Sequence, residues 1–302
     1  MLPPAAPLSP ALVMLRPSLH VREDGPSSAP CVVLLAGLGM GSRDWPEALV
    51  EGLARDFRVL RFDNRDAGRS PRCGADPDPE ATEALRSSDP AAPGVAPYDL
   101  GDMALDVLAA LDQRGIGRFA LVGFSMGGMI AQKLARAAPD RVAALVLVAT
   151  SAGPGPFPPD VHERFVRMGK SFADAAALRA WLEDDIAFFH APCVPDLAAR
   201  RRMAGEMLAG GFTQGGFARQ YRAILATPAW SAELRTIACP VLILSGAGDV
   251  CLPPSHARAL AAALPQAEFR LVDGVGHSLE PALVRPILEW LGRDRWAAPS
   301  RP

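Results

Sequence analysis

Gly123-Phe124-Ser125-Met126-Gly127-Gly128 is the segment of this 302-residue chain with the clearest chemical meaning. Taken alone, G-x-S-x-G is a weak pattern, so its neighbours must decide. An apolar run, Phe119–Gly123 (FALVG), leads into it, and an amphipathic run, Met126–Ala138, leaves it. That succession predicts the strand–turn–helix of a nucleophile elbow. The turn is so sharp that side chains at the flanking glycine positions would collide with neighbouring backbone. Ser125 is then held in a strained conformation with its Oγ exposed, above a helix N-terminus that favours developing negative charge. The alternative is a glycine-rich turn whose serine only caps the helix.

A serine hydroxyl is a poor nucleophile at neutral pH and needs a positioned base. The chain has five histidines. His20 precedes the first predicted strand, His162 and His190 fall in a helical insertion, and His256 lies one residue into a helix, where solvent should surround it. His277 stands in Asp273-Gly-Val-Gly-His277, a loop after the last strand, from which a side chain can return over the sheet edge toward Ser125. A base needs an orienting carboxylate. Ser245-Gly-Ala-Gly-Asp249 follows the strand VLIL and puts Asp249 at the same edge. Asp273 and Glu280 are its rivals, and neither is well placed to bind the far imidazole nitrogen.

Acyl transfer also needs donors for an oxyanion. The backbone N–H of Met126, just after the nucleophile, is one expectation. The backbone N–H of Leu38, in Gly37-Leu38-Gly39-Met40-Gly41, is the other. A glycine-rich turn after an early strand can also bind a dinucleotide, but Ser42 occupies the place of the third glycine in that fingerprint. Gly169-Lys170-Ser171 resembles the end of a phosphate-binding loop, yet Arg164 stands where its first glycine belongs and no strand precedes it.

The elements that must carry these residues alternate. Short apolar runs at Cys31–Ala36, Phe57–Phe62, Phe119–Gly123, Ala144–Val148, Val241–Leu244 and Phe269–Val272 predict strands of a sheet covered on both faces. Helical patterns fill Asp44–Arg55, Leu100–Arg114, Met126–Ala138, His256–Ala263 and Pro281–Leu291, with Asp99 placed to cap the second. The fold class is therefore α/β, a doubly wound, mostly parallel sheet. Residues 73–98, proline-rich and acidic, read as a long surface loop.

Residues 151–230 carry helical patterns but no convincing strand, and hold 10 of the 19 aromatic residues. This predicts a core domain over 1–150 and 231–302, with 151–230 as a helical cap over a pocket. Trp45, Phe124, Phe188, Phe189, Phe212, Tyr221 and Val250 are the candidates for touching a substrate, since pockets are lined mainly by apolar side chains. The plainer reading, for most of the cap aromatics, is a small core of the cap's own.

Composition narrows the classes. A net charge of −2 gives no reason to expect nucleic acid or an anionic membrane as partner. Five scattered cysteines without a C-x-x-C pair fit reduced thiols better than a disulfide framework or a zinc site. The N-terminus has no basic region and its apolar run is broken by prolines, and no apolar stretch is long enough to span a bilayer. The expectation is a soluble, cytoplasmic protein, with the near-absence of lysine pointing to a GC-rich bacterial genome. No metal or organic cofactor is called for, and homo-oligomerisation is left open.

With elbow, acid loop and histidine loop in the order Ser, Asp, His, the chain resembles the α/β-hydrolase superfamily over about residues 30–292. Arg61-Phe-Asp-Asn-Arg-Asp-Ala-Gly-Arg-Ser70 is similar to a segment of esterases like aclacinomycin methylesterase and of cofactor-free haloperoxidase-type esterases. The resemblance implies that this segment is a structural turn framing the site, with no catalytic role for Asp63 or Asp66. Many relatives have His-Gly at the oxyanion loop where this chain has Ala36-Gly37. Epoxide hydrolases and haloalkane dehalogenases of this fold carry Asp at the elbow, which Ser125 argues against. The expected activity is hydrolysis of a small-to-medium hydrophobic carboxylic ester. Thioester, lactone or macrolide-ester cleavage, C–C hydrolysis and perhydrolysis remain alternatives, as does a hydrophobic-ligand-binding protein without turnover.

Overall fold

A computed structural model describes residues 16–85, 98–153, 155 and 157–293. Its centre is a seven-stranded sheet in the order β1-β3-β2-β4-β5-β6-β7. The strands are β1 (Val21–Asp24), β2 (Cys31–Leu35), β3 (Arg58–Phe62), β4 (Phe119–Phe124), β5 (Val142–Val148), β6 (Val241–Gly246) and β7 (Glu268–Val272). Only β1 is antiparallel, paired with β3; all other neighbours are parallel. β1 was not expected from the sequence: it is a short edge strand, Val-Arg-Glu-Asp, with no buried residue to betray it.

The inner strands are buried along their whole length, and alternate side chains feed two separate cores. Val33, Leu35, Leu121, Leu145 and Ile243 face one side, where α3 (Leu100–Asp112), α4 (Met126–Ala137) and α9 (Pro254–Ala263) pack. Val32, Leu34, Val122, Val146 and Leu244 face the other, covered by α1 (Glu47–Ala54) and α10 (Pro281–Leu291). Asp99 caps α3 in a full capping box with Asp102.

Among the described residues, four α-helices and a short 3-10 helix, Ser231–Thr236, lie between β5 and β6; the α-helices are α5 (Pro159–Met168), α6 (Ala175–His190), α7 (Leu197–Ala209) and α8 (Gln214–Ala226). No strand occurs there among the described residues. The expected surface loop at 73–98 needs correcting. Residues 86–97 lie outside the described part, but Pro79–Ala84 forms a short helix, α2, whose Asp78 cap accepts from the N–H of Ala81. Ala81, Thr82 and Ala84 are buried, because α2 is wedged under the inserted helices. The Thr82 hydroxyl donates to Gly169 O at 2.7 Å, and Arg222 Nη1 donates to Ala84 O at 2.8 Å. The N-terminal segment read for targeting signals, residues 1–15, also lies outside the described residues. No helix among the described residues is long and apolar enough to cross a membrane.

Candidate active site

Ser125 sits between β4 and α4 with φ 53° and ψ −121°, a left-handed backbone that few non-glycine residues adopt. Its conformation is over-determined by neighbours: its N–H donates to Val148 O at 2.9 Å, and its carbonyl accepts from the Thr150 hydroxyl at 2.8 Å. A side chain on Gly123 would meet Gly127 O at 2.5 Å, and one on Gly127 would meet Leu35 O at 1.9 Å. The two glycines are thus a steric requirement of the elbow. Met126 is the first residue of α4, so its N–H is among the donors that a helix cannot satisfy internally.

The chain brings His277 and Asp249 to this serine from the loops after β7 and β6. His277 Nε2 lies 2.9 Å from Ser125 Oγ, and His277 Nδ1 lies 2.8 Å from Asp249 Oδ2. The other carboxylate oxygen, Oδ1, accepts from the N–H groups of Cys251 and Leu252 at 2.9 and 2.8 Å, which fixes the acid's orientation. Burial alone would push the imidazole down, but the Asp249 carboxylate holds it well above the ordinary histidine value. Burial pushes the neighbouring Cys251 thiol up.

Three of the rival groups, Glu280, His190 and His162, have other partners. Glu280 Oε1 accepts from Ser278 Oγ at 3.0 Å and lies 2.8 Å from His190 Nδ1. His162 Nδ1 lies 2.7 Å from Tyr221 Oη. His256 is half-buried rather than solvated, because α9 begins two residues earlier than expected and packs on the sheet.

A cavity of about 910 Å³ opens over Ser125 and His277. Trp45, Phe124, Phe189 and Phe212 line it, as do Leu38 and Met40 of the glycine-rich loop. Phe188, Tyr221 and Val250 do not. Phe188 instead carries the Arg164 guanidinium 4.1 Å above its ring. Tyr221 is fully buried one layer behind Phe165, with ring centroids 4.9 Å apart. Val250 is half-buried in the Asp249 loop, off the cavity wall. In their place the structure adds Phe165, Phe217, Met168, Met203 and Met207. Helical periodicity could have nominated these, but the rotation of each helix about its axis decides which side chains face inward. Asp44 and Asp185 are also on the wall, and burial pushes both carboxyls up to about 6. Among the described residues no group of three or more His, Cys, Asp or Glu could hold a metal ion.

Residues 30–279 match the profile of a family described as alpha/beta hydrolase fold. The chain belongs to this family. One relative of this alpha/beta hydrolase, "Putative carbamate hydrolase RutD" of Klebsiella pneumoniae (strain 342), is 32% identical over 83% of the chain and 85% of the relative. Rhodomycin D methylesterase DauP of Streptomyces sp. (strain C5) is 30% identical over 87% of the chain and 89% of its own length. Among solved structures, the enol-lactonase from Burkholderia xenovorans LB400 superposes with a TM-score of 0.71 at 25% identity, covering 91% and 96% of the two chains. The alpha/beta hydrolase described here therefore keeps company with enzymes named for hydrolysis, esterases among them. The sheet, its order and the flanking helices agree with the fold class expected from the sequence.

Proposed function

We propose that this alpha/beta hydrolase cleaves a hydrophobic carboxylic ester through Ser125, His277 and Asp249, by way of an acyl-enzyme. The observation that carries the reading is the unbroken relay Asp249–His277–Ser125, at 2.8 and 2.9 Å, on the floor of a largely apolar cavity. His277 Nε2 takes the proton of Ser125 as Oγ attacks the ester carbonyl. The N–H groups of Leu38 and Met126 receive the oxyanion, and Asp249 stabilises the imidazolium. His277 then gives the proton to the leaving alcohol, and next activates a water that releases the acid.

A cavity of about 910 Å³ is at the upper end for small-molecule sites and favours a bulky substrate over a short-chain one. Five free thiols support a reducing, cytoplasmic setting. A fluorophosphonate probe with peptide mapping tests the mechanism, with labelling expected at Ser125 and lost in Ser125→Ala. Labelling that survives this substitution sinks the assignment. A parallel panel of p-nitrophenyl esters of increasing chain length, a thioester and a lactone reads the bond type. The longer esters are expected to give the higher kcat/KM.

A further inference from the structure

The oxyanion loop has three glycines in five residues, and such a chain does not hold a fixed shape by itself. Within it, the Met40 N–H closes a turn on Gly37 O at 3.1 Å, and Gly39 has a left-handed φ of 72°. Two anchors come from outside the loop. The Gly41 N–H donates to Asp44 Oδ2 at 2.7 Å, and the Gly39 N–H donates to Gln220 Oε1 at 2.9 Å. The second lies on the peptide plane that Leu38 shares with Gly39. Because that plane is rigid, holding its N–H restricts the torsion at Leu38 and so the aim of the neighbouring Leu38 N–H.

Gln220 is well made for this. It is fully buried on α8, and its Nε2 donates to Arg65 O at 2.7 Å, so both ends of its amide are engaged. A carbonyl can only accept, so the amide cannot flip without losing both bonds. Arg65 is itself held by a buried two-pronged pair to Asp106, at 2.6 and 2.7 Å. Next along α8, Arg219 grips Asp66 and Asp78, each at 2.7 Å. A rigid line of contacts therefore runs from α3 through the 61–70 turn and α8 to the oxyanion loop. We propose that Gln220 is a positioning residue for the oxyanion hole, holding the Gly39 N–H so that the Leu38 N–H meets the developing charge. This rests on the ester-hydrolase reading above.

The test compares Gln220→Met and Gln220→Glu in the full chain. Met keeps the volume and removes both bonds. It is expected to lower kcat by roughly 30-fold, within the range that a misplacement of about 1 Å costs. KM should change by less than about threefold, since the loss falls on the transition state. Inhibition by a trifluoromethyl ketone, which forms the oxyanion, should weaken in step with kcat/KM. Glu keeps the acceptor and, while protonated, the donor. It should retain more of kcat than Met, with a deficit that grows as pH rises. Unchanged kcat in a folded Gln220→Met, or a loss confined to KM, overturns the proposal. Amide exchange of Gly39 in the wild type gives a readout that needs no variant. Protection is expected, and exchange at the rate of an open loop rejects the role. If wild-type Ser125 fails to label with the fluorophosphonate, the hydrolase reading itself falls; labelling of Ser125 together with an unchanged kcat in Gln220→Met removes only the role of Gln220.

Discussion

The backbone N–H of His277 donates to the carbonyl of Phe189 at 2.7 Å, joining the histidine loop to the last turn of α6. The contact is close on every side. A side chain on Gly276 would meet Ala191 O at 2.3 Å and Phe189 O at 2.5 Å, and His190 is tied to Glu280 two residues beyond Ser278. The inserted helices thus bear directly on the histidine as well as on the oxyanion loop.

Gly276→Ala tests the first of these contacts. The added methyl must push α6 and the loop apart, and a shift of about 1 Å at His277 should cost on the order of 100-fold in kcat. Overpacking should also cost about 1–3 kcal/mol of stability. Steady-state kinetics beside a denaturant titration checks both, and an undiminished kcat refutes the coupling.

His277 must be neutral to accept the serine proton, and Asp249 raises its affinity for that proton. Activity should therefore fall as pH drops through a midpoint above the ordinary histidine value of about 6.5. Asp249→Asn should move this limb to lower pH and reduce kcat by on the order of 10⁴-fold. A kcat/KM profile against pH, taken for both proteins, reads the sign. An acid limb that stays put in Asp249→Asn would falsify the assignment of the acid.

Arg219 and Asp66 form a buried ion pair, with side chains 2% and 0% exposed. Arg219→Ala leaves that carboxylate with the Tyr98 hydroxyl and the Cys73 N–H but no cation. Stability should drop by about 3–5 kcal/mol, because the uncompensated charge cannot reach water. Urea unfolding monitored by fluorescence measures the loss, and a change below about 1 kcal/mol contradicts the reading.

The cysteines should divide sharply by reactivity. Cys193 is exposed, whereas Cys31 is buried with its thiol pushed up to about 12, and burial raises Cys251 as well. Iodoacetamide should modify Cys193 in the native protein and reach Cys31 and Cys251 only after denaturation. Peptide mass spectrometry at low reagent excess decides it. Native labelling of Cys251 would show that the wall beside His277 opens.

Much of the sheet was legible because its signals are local. A run such as VVLL or LVLV suits a strand buried on both faces of a parallel sheet, and the glycine at position 123 is dictated by contacts with Gly127 and Gly128, a few residues away. β1 was not legible, since an edge strand of Val-Arg-Glu-Asp has no apolar pattern. Helix α2 hid in a proline-rich stretch because its burial depends on α8, far along the chain.

By itself, then, the sequence determined the strand–helix alternation, the elbow at Ser125 and the loops that carry Asp249 and His277, all properties of short windows of chain. Only the tertiary structure decided the meeting of Ser125 with His277 across 152 residues, and of His277 with Asp249 across 28. It also decided that Phe165 and Phe217 face the cavity while Phe188 and Tyr221 do not, and that Gln220 and the Phe189 carbonyl brace the site. The physical reason is that a helix's periodicity defines its apolar face, but packing against distant elements sets which way that face turns.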